Sequence, residues 1–323
     1  MLYPLTFEPI LMERIWGGRR LGERYGKQLP PEVPIGESWE ITDRPEGVSE
    51  ITNGSLAGKD LRWLMENHRD DLLGSASDYD GRFPLLIKIL DSSQKLSLQV
   101  HPPPEKAAAM NGEPKTEMWY IADATPDADI YVGLKNGVSS QEFEAKIGDG
   151  TVADCFHRHE VQKGDVMFLP SGRVHALGAG SVIFEIQQNS NTTYRVFDWN
   201  RVGLDGNPRE LHIEQAMAAI DFEDFEPELV EAGFEGKAPS CRAIVDDPLF
   251  TVENWKLSAS ESAVPTVGSC QVIALLEGSV AVSDGEVSVQ LEPGQFCILP
   301  ACLEAREIKA STDSELLVAT PGI

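Results

Sequence analysis

Cysteine is scarce and scattered: five residues, Cys155, Cys241, Cys270, Cys297 and Cys302, with no CxxC pair among them. An odd, dispersed set in a chain this long argues against a disulfide scaffold and against a thiolate metal site. It predicts reduced thiols in a cytoplasmic setting. Long apolar runs are missing too, so nothing in the sequence is expected to span a bilayer. The opening residues, MLYPLTFEPILMERIW, lack the basic leader, apolar stretch and small-residue cleavage site of a signal peptide. Positive charge is short as well: 27 Lys and Arg against 52 Asp and Glu leave a formal net charge of -25. That excludes nucleic acid and anionic membranes as expected partners. A phosphorylated small molecule would be repelled at long range, so it could be held only by a local cluster of Lys, Arg and backbone N–H groups.

What the chain does have is length: 323 residues suffice for two domains, or one large domain with an insertion. Its 41% hydrophobic and 24% charged residues are ordinary for a globular protein, so the core, not composition, must carry the information. Short alternating runs punctuated by Pro, Gly and Asn, such as IGESWEITDRPEGVSEITNGSL, predict strands over much of residues 1–57. Leu61, Leu64, Met65, Leu72 and Leu73 fall at helical spacing ahead of a Gly and predict a helix over 58–74. Further helices are expected over 139–148, behind a Ser cap, and over 208–220, from Pro208 onward. FPLLIKIL is a dense strand that Lys88 interrupts, either snorkelling or facing a polar pocket. Residues 222–240, acidic and rich in Pro and Gly, read as a linker between a first domain, 1–221, and an all-β domain, 241–323.

One stretch concentrates the chemistry. Side chains two apart on a strand share a face, so Gln99 and His101, in and just after LSLQV, can converge on one point. Glu117 begins a later strand in KTEMWYIA, and His175 follows the turn LPSGRV. Two imidazoles, a carboxylate and an amide on strands or strand ends make a plausible divalent-metal site. A second pattern is an internal repeat: VQKGDVMFLPSGRVHAL (161–177) aligns with LEPGQFCILPACLEARE (291–307), Gly164 on Gly294 and Pro170 on Pro300. Each copy runs from a Gly turn into a short strand ended by Pro, but Ala305 stands opposite His175 in the second. Two β modules are expected, of which one keeps ligand chemistry. His157 and His159, an HxH beside Glu160, read as exposed residues of a charged loop, and His68 and His212 as structural or exposed positions on helices. Trp16, Trp119 and Trp199 could line a sugar pocket or pack in the core.

These residues resemble a known family. Gly164-x5-Pro170-x-Gly172-x2-His175 matches the second cupin motif, while Gln99-x-His101 followed by Glu117 is similar to the first. It departs from the first in having Gln for the leading His and a long insert, PPPEKAAAMNGEPKT. That variant resembles type I phosphomannose isomerases in their short bacterial form. FPLLIKILDSSQKLSLQVHP, KTEMWYI, GRVHALG, TTYRVFDWNR, IWGG and IGESWEI look like the signature blocks of that family. The resemblance covers residues 5 to 220 or so, with the C-terminal third only a degenerate cupin. It implies a mainly β fold of two cupin, or jelly-roll, β-barrels with a small helical addition. It implies one Zn2+ per chain on Gln99, His101, Glu117 and His175, with Arg195 and Lys115 in catalysis and Ser97 and Lys88 holding phosphate.

The implied reaction interconverts mannose 6-phosphate and fructose 6-phosphate through a cis-enediol, in which charge develops on O1 and O2. A cation beside those oxygens stabilises that charge. The base stays open between Lys115, a metal-bound hydroxide, and carboxylates such as Asp198 and Glu185. The expected partner is a small sugar phosphate, and the expected state a monomer or weak homo-oligomer. Two competing functions are a non-catalytic sugar-binding or regulatory metal-binding cupin protein and an iron-dependent cupin dioxygenase. Gln99 counts against the latter, which favours three histidines plus Glu.

Overall fold

The computed structural model describes residues 2–237 and 239–323. Among these, sheets dominate, and they fall into two pairs. The first pair is a six-stranded sheet, ordered Ile10–Gly18, Ile35–Ile41, Leu85–Ser92, Ser181–Gln188, Glu117–Ala124 and Val166–Leu169, and a five-stranded sheet. The latter is ordered Tyr194–Phe197, Leu98–Val100, His175–Leu177, Asp129–Leu134 and Phe156–Glu160. The second pair is built from the strands between Ser240 and Pro321, five in one sheet and four in the other. The fold is mainly β, in two double-sheet modules of jelly-roll type. The strands within each sheet are antiparallel and the two sheets of a module face each other, as the jelly-roll expectation requires.

Alternation explains why the sheets face each other. In the first pair Trp119, Leu90 and Ile183 of one sheet share a core with Ile130, Val132 and Leu177 of the other. In the second, Ile273, Leu275 and Leu316 meet Val280, Val282 and Ile308. Burying such side chains stabilises each by about 1.5–3 kcal/mol. The largest core spans both pairs, joining Leu5, Phe184 and Ile186 to Phe250, Phe296 and Leu317, with the Phe184 and Phe296 rings stacked at 5.5 Å. The start of the run 222–240 lies against the first pair, while its Phe234 and Glu235 meet Arg242 and Cys241 of the second. Asp224 pairs with Arg173 at 2.8 Å, and Phe222 and Phe225 pack beside Phe143.

Helices are few. Leu61–Leu73 starts where Asp60 accepts from Trp63 N–H at 2.7 Å, and Ser140–Asp149 where Ser139 accepts from Glu142 N–H at 3.2 Å. The helix expected from Pro208 begins only at Ile213. Residues 208–212 are drawn off by Arg195, whose C=O accepts from His212 N–H and whose guanidinium binds the Glu210 carbonyl. His157 and His159 also differ from expectation: they sit on the strand Phe156–Glu160, half-buried, with His159 Nε2 2.7 Å from the Pro227 carbonyl.

Candidate active site

Strand register builds the site from two rows of side chains. Across the six-stranded sheet Trp39 pairs with Lys88, Lys88 with Glu185 and Glu185 with Trp119, on four adjacent strands. Opposite charges in direct cross-strand register attract: Lys88 Nζ lies 2.9 Å from Glu185 Oε1, and Trp119 Nε1 donates to Glu185 Oε2 at 3.0 Å. Glu117, two residues before Trp119, shares that face. Across the five-stranded sheet Arg195 pairs with Gln99 and Gln99 with His175. The two rows close on a cavity of about 550 Å³.

His101, Glu117 and His175 meet at its buried end, each at most 1% exposed, with one donor atom apiece lying within 4.8 Å of the others. His101 Nε2 is 3.6 Å from Glu117 Oε2 and His175 Nε2 is 3.4 Å from Glu117 Oε1. Each imidazole is oriented from behind: His101 Nδ1 binds the Thr192 carbonyl at 2.8 Å and His175 Nδ1 the Arg173 carbonyl at 2.9 Å. A carbonyl only accepts, so both protons sit on Nδ1 and both Nε2 lone pairs aim inward. His101 Nε2 and both Glu117 oxygens are buried without a hydrogen-bond partner. Lys115 Nζ lies 2.6 Å from Glu117 Oε2, an ion pair whose angles fall outside a hydrogen bond. As oriented, Gln99 directs Nε2 to His175 Nε2 at 3.2 Å, while Ser97 Oγ donates to its Oε1 at 3.4 Å. A half-turn of the amide brings Oε1 onto the imidazoles.

Burial sets the protonation states, and charge neighbours refine them. Burial, helped by Lys115, lowers His101 to about 4, and burial likewise lowers His175. Burial alone would raise Glu117, but Lys115 and the two imidazoles hold it well below the usual carboxylate range. Burial depresses Lys115, and Glu117 and Glu185 more than offset it, keeping the ammonium charged. Two neutral imidazoles and one carboxylate, lone pairs inward, form a donor set suited to a divalent cation.

Gln99, Ser97, Lys115, Lys88 and Arg195 all line the cavity, and Lys115 and Gln99 also touch the buried cluster. Of the tryptophans, Trp16 and Trp119 line it, while Trp199 packs against Phe197 and Lys95. Sequence reasoning missed Arg14 and Glu37. Arg14 grips Glu37 through Nε and Nη2, both at 3.0 Å, and Trp39 Nε1 donates to the same carboxylate at 2.7 Å. Burial raises Glu37, yet Lys88 and Arg14 outweigh it and bring it down to about 2. The available signal was the alternation of Glu37 and Trp39 on one strand face. Glu185 lines the cavity, whereas Asp198 is held by Arg201 and Arg209.

Known proteins resemble this chain along most of its length. Residues 5–127 match the sequence model of the phosphomannose isomerase type I catalytic domain. A Bacillus subtilis protein described as probable mannose-6-phosphate isomerase GmuF is 36% identical over 308 residues, 93% of this chain and 94% of its own. The crystal structure of a mannose 6-phosphate isomerase from Bacillus subtilis superposes with a TM-score of 0.90 at 32% identity, over 98% of this chain and 99% of that one. The fold also matches a mannose 6-phosphate isomerase crystallised with zinc and yttrium, with a TM-score of 0.75 at 18% identity, over 99% and 100% of the two chains. With a relative this similar along nearly its whole length, the chain belongs to the type I phosphomannose isomerase family.

Proposed function

We propose that this protein is a zinc-dependent aldose–ketose isomerase that interconverts mannose 6-phosphate and fructose 6-phosphate through a cis-enediol. The observation that carries the reading is the buried cluster of His101, Glu117 and His175, its His101 Nε2 and Glu117 oxygens without a hydrogen bond, beside Lys115 and Gln99, which line the cavity together with Arg195. His101, Glu117, His175 and, through its amide oxygen, Gln99 would hold one Zn2+, as the zinc-bound relative supports. Bound there, Zn2+ supplies a Lewis acid for sugar oxygens.

The chain's own residues do the rest. The open-chain sugar lies between the two rows, with O1 and O2 towards the buried end. Lys115 and Arg195 face the negative charge that develops on those oxygens as the C2 proton leaves. Ser97 and Lys88 bind the substrate along the inner wall. Of the two carboxylates named as candidate bases, Glu185 lines the cavity, paired with Lys88 and Trp119, and would hold and return the proton between C2 and C1; Asp198 is locked between two guanidiniums. Trp16 and Trp119 supply apolar surface that keeps water off the enediol.

The sheet pairs support a division into a catalytic domain (1–221), a connecting run (222–240) and a C-terminal domain (241–323). The five cysteines are all free, which favours the cytoplasm, and no described helix is long and apolar enough to cross a membrane. A monomer or weak homo-oligomer fits this reading. The test is a coupled assay with mannose 6-phosphate, with and without chelator, on the wild type and His175→Ala. Turnover abolished by chelator and restored by zinc is expected. Metal-replete protein without turnover, or turnover indifferent to chelation, sinks the proposal.

A further inference from the structure

Three guanidiniums gather around one buried carboxylate at the mouth of the cavity, and the chemistry above uses only one of them. Asp198 accepts from Arg201 Nη2 at 2.6 Å and from Arg209 through Nη2 at 2.5 Å and Nε at 2.7 Å. Arg195 stands beside them. Its Nη1 donates to the Glu210 carbonyl at 2.8 Å, and its buried Nε has no partner. Arg201 turns away to the Lys95 carbonyl, but Arg195 and Arg209 both line the cavity, where Gly203, Leu204 and Asp205 continue the wall.

The charge balance here is unlike the rest of a chain with net charge -25. Two of the three cations, Arg201 and Arg209, pair with Asp198, which is 5% exposed. The Glu210 carboxylate is 83% exposed and therefore screened, whereas Asp205 keeps its charge while accepting from the backbone and side-chain N–H groups of Asn207 and offsets part of the positive charge. Burial above all, with the neighbouring Arg209 charge added, holds the Arg195 guanidinium below its ordinary pKa against the pull of Asp198. At the inner wall the balance differs: Lys88 is neutralised by Glu185 and Arg14 by Glu37. At the other end three guanidiniums meet two carboxylates, Asp198 and Asp205, and Arg195 has no salt bridge, so pairing is incomplete there.

We infer that Arg209, set in place by Asp198, is an anion-binding residue that takes the phosphate of the substrate at the outer half of the cavity. The inference rests on the sugar-phosphate reading above and sets the dianion at the Arg209 end of the cavity instead of at Ser97 and Lys88, where the resemblance put it, because Lys88 is already paired with Glu185. Asp198 occupies Nε and one Nη2 proton of Arg209, which leaves Nη1 and the second Nη2 proton for an anion. An incoming dianion would also relieve the repulsion between Arg209 and Arg195. Asp198 is a positioning residue: it fixes the fork and touches no substrate. The competing explanation is a structural pin for residues 199–211, which leave Phe197 through two left-handed positions, Trp199 (φ 55°) and Asn200 (φ 54°).

The two explanations separate on KM against kcat. With mannose 6-phosphate, Arg209→Met is expected to raise KM about tenfold or more, the worth of one charge-assisted hydrogen bond, with kcat within about threefold. Competitive inhibition by inorganic phosphate should weaken in step. Arg209→Lys, keeping the charge without the fork, recovers part of both, and Asp198→Asn moves KM in the same direction as Arg209→Met. Should Arg209→Met fold poorly, Arg209→Lys against Asp198→Asn carries the same comparison. A wild type that turns over while Arg209→Met and Arg209→Lys keep wild-type KM and phosphate inhibition, even with a lowered unfolding midpoint, overturns the inference and leaves the isomerase proposal intact. Arg209-dependent binding of inorganic phosphate by a protein without turnover supports the anion site and overturns the isomerase proposal instead.

Discussion

The two halves of the molecule share a strand–turn plan and differ in what surrounds one shared register position: a donor cluster that could hold a metal ion in the first, an arginine of the chain in the second. In the first, Leu169 pairs with Glu117 just before Pro170; in the second, Leu299 pairs with Gln271 just before Pro300. Glu117 and Gln271 therefore hold the same register position. Around Glu117 the lone pairs of two imidazoles point inward. Around Gln271 stands Arg306, 4% exposed, its guanidinium donating to the carbonyls of Ser269 at 2.8 Å, Pro300 at 2.8 Å, and Ala301 and Leu303 at 3.1 Å, with Gln271 Oε1 at 3.4 Å. A cation that is part of the chain satisfies every acceptor permanently and leaves nothing for a substrate. Acceptors held ready for a soluble cation keep its remaining positions open for chemistry. In the second half the same position therefore serves the fold and offers no site.

The strongest way to break this comparison is to give the first half the second half's residue. Glu117→Gln keeps size and shape but removes the charge, leaving Lys115 with no carboxylate at 2.6 Å. Activity on mannose 6-phosphate should fall about 10³-fold or more, roughly 4 kcal/mol of transition-state stabilisation, with bound zinc falling in parallel. Metal content measured beside the coupled assay decides it. A variant that keeps zinc and more than about a tenth of its activity would show that Glu117 does not distinguish the halves.

The next largest effect lies in the other half. Arg306→Met strands several buried carbonyls at once and should destabilise the protein by about 2–4 kcal/mol. Urea unfolding followed by fluorescence measures the loss, and kcat/KM of the still-folded protein should stay near wild type. A loss under about 1 kcal/mol would mean that water replaces the guanidinium at little cost, so that Arg306 is no built-in substitute for a metal.

Much of the first site was legible because its signals are local. His175 follows a Pro/Gly turn, Gln99 and His101 share a strand face, and Glu117 opens a dense strand, so all four could be named before their meeting point was known. Lys88 announced itself as a charge inside an apolar run. The missing part depended on register between strands far apart in sequence. Nothing local tells Lys88 that it will lie opposite Glu185, 97 residues on, or Arg14 that it will grip Glu37. The stretch after Pro208 misled for a related reason. Its helical pattern is real from Ile213, but Arg195 claims the backbone of Glu210 and His212, and that tertiary contact outweighs local propensity.

The smallest expected effect tests where the halves diverge. Ungapped alignment sets Ala305 opposite His175, which suggests a ligand lost by one substitution. In the structure Ala305 is exposed, while the next residue, Arg306, is buried and faces Gln271. The second turn is effectively one residue longer, so the side chain entering the interior is the arginine. Ala305→His should therefore leave stability within about 0.5 kcal/mol of wild type and the metal-to-protein ratio unchanged by elemental analysis. A second equivalent of zinc bound by that variant would mean that Arg306 yields its place readily. The second half would then be a site missing one ligand, and its stability would not depend on the cation inside it.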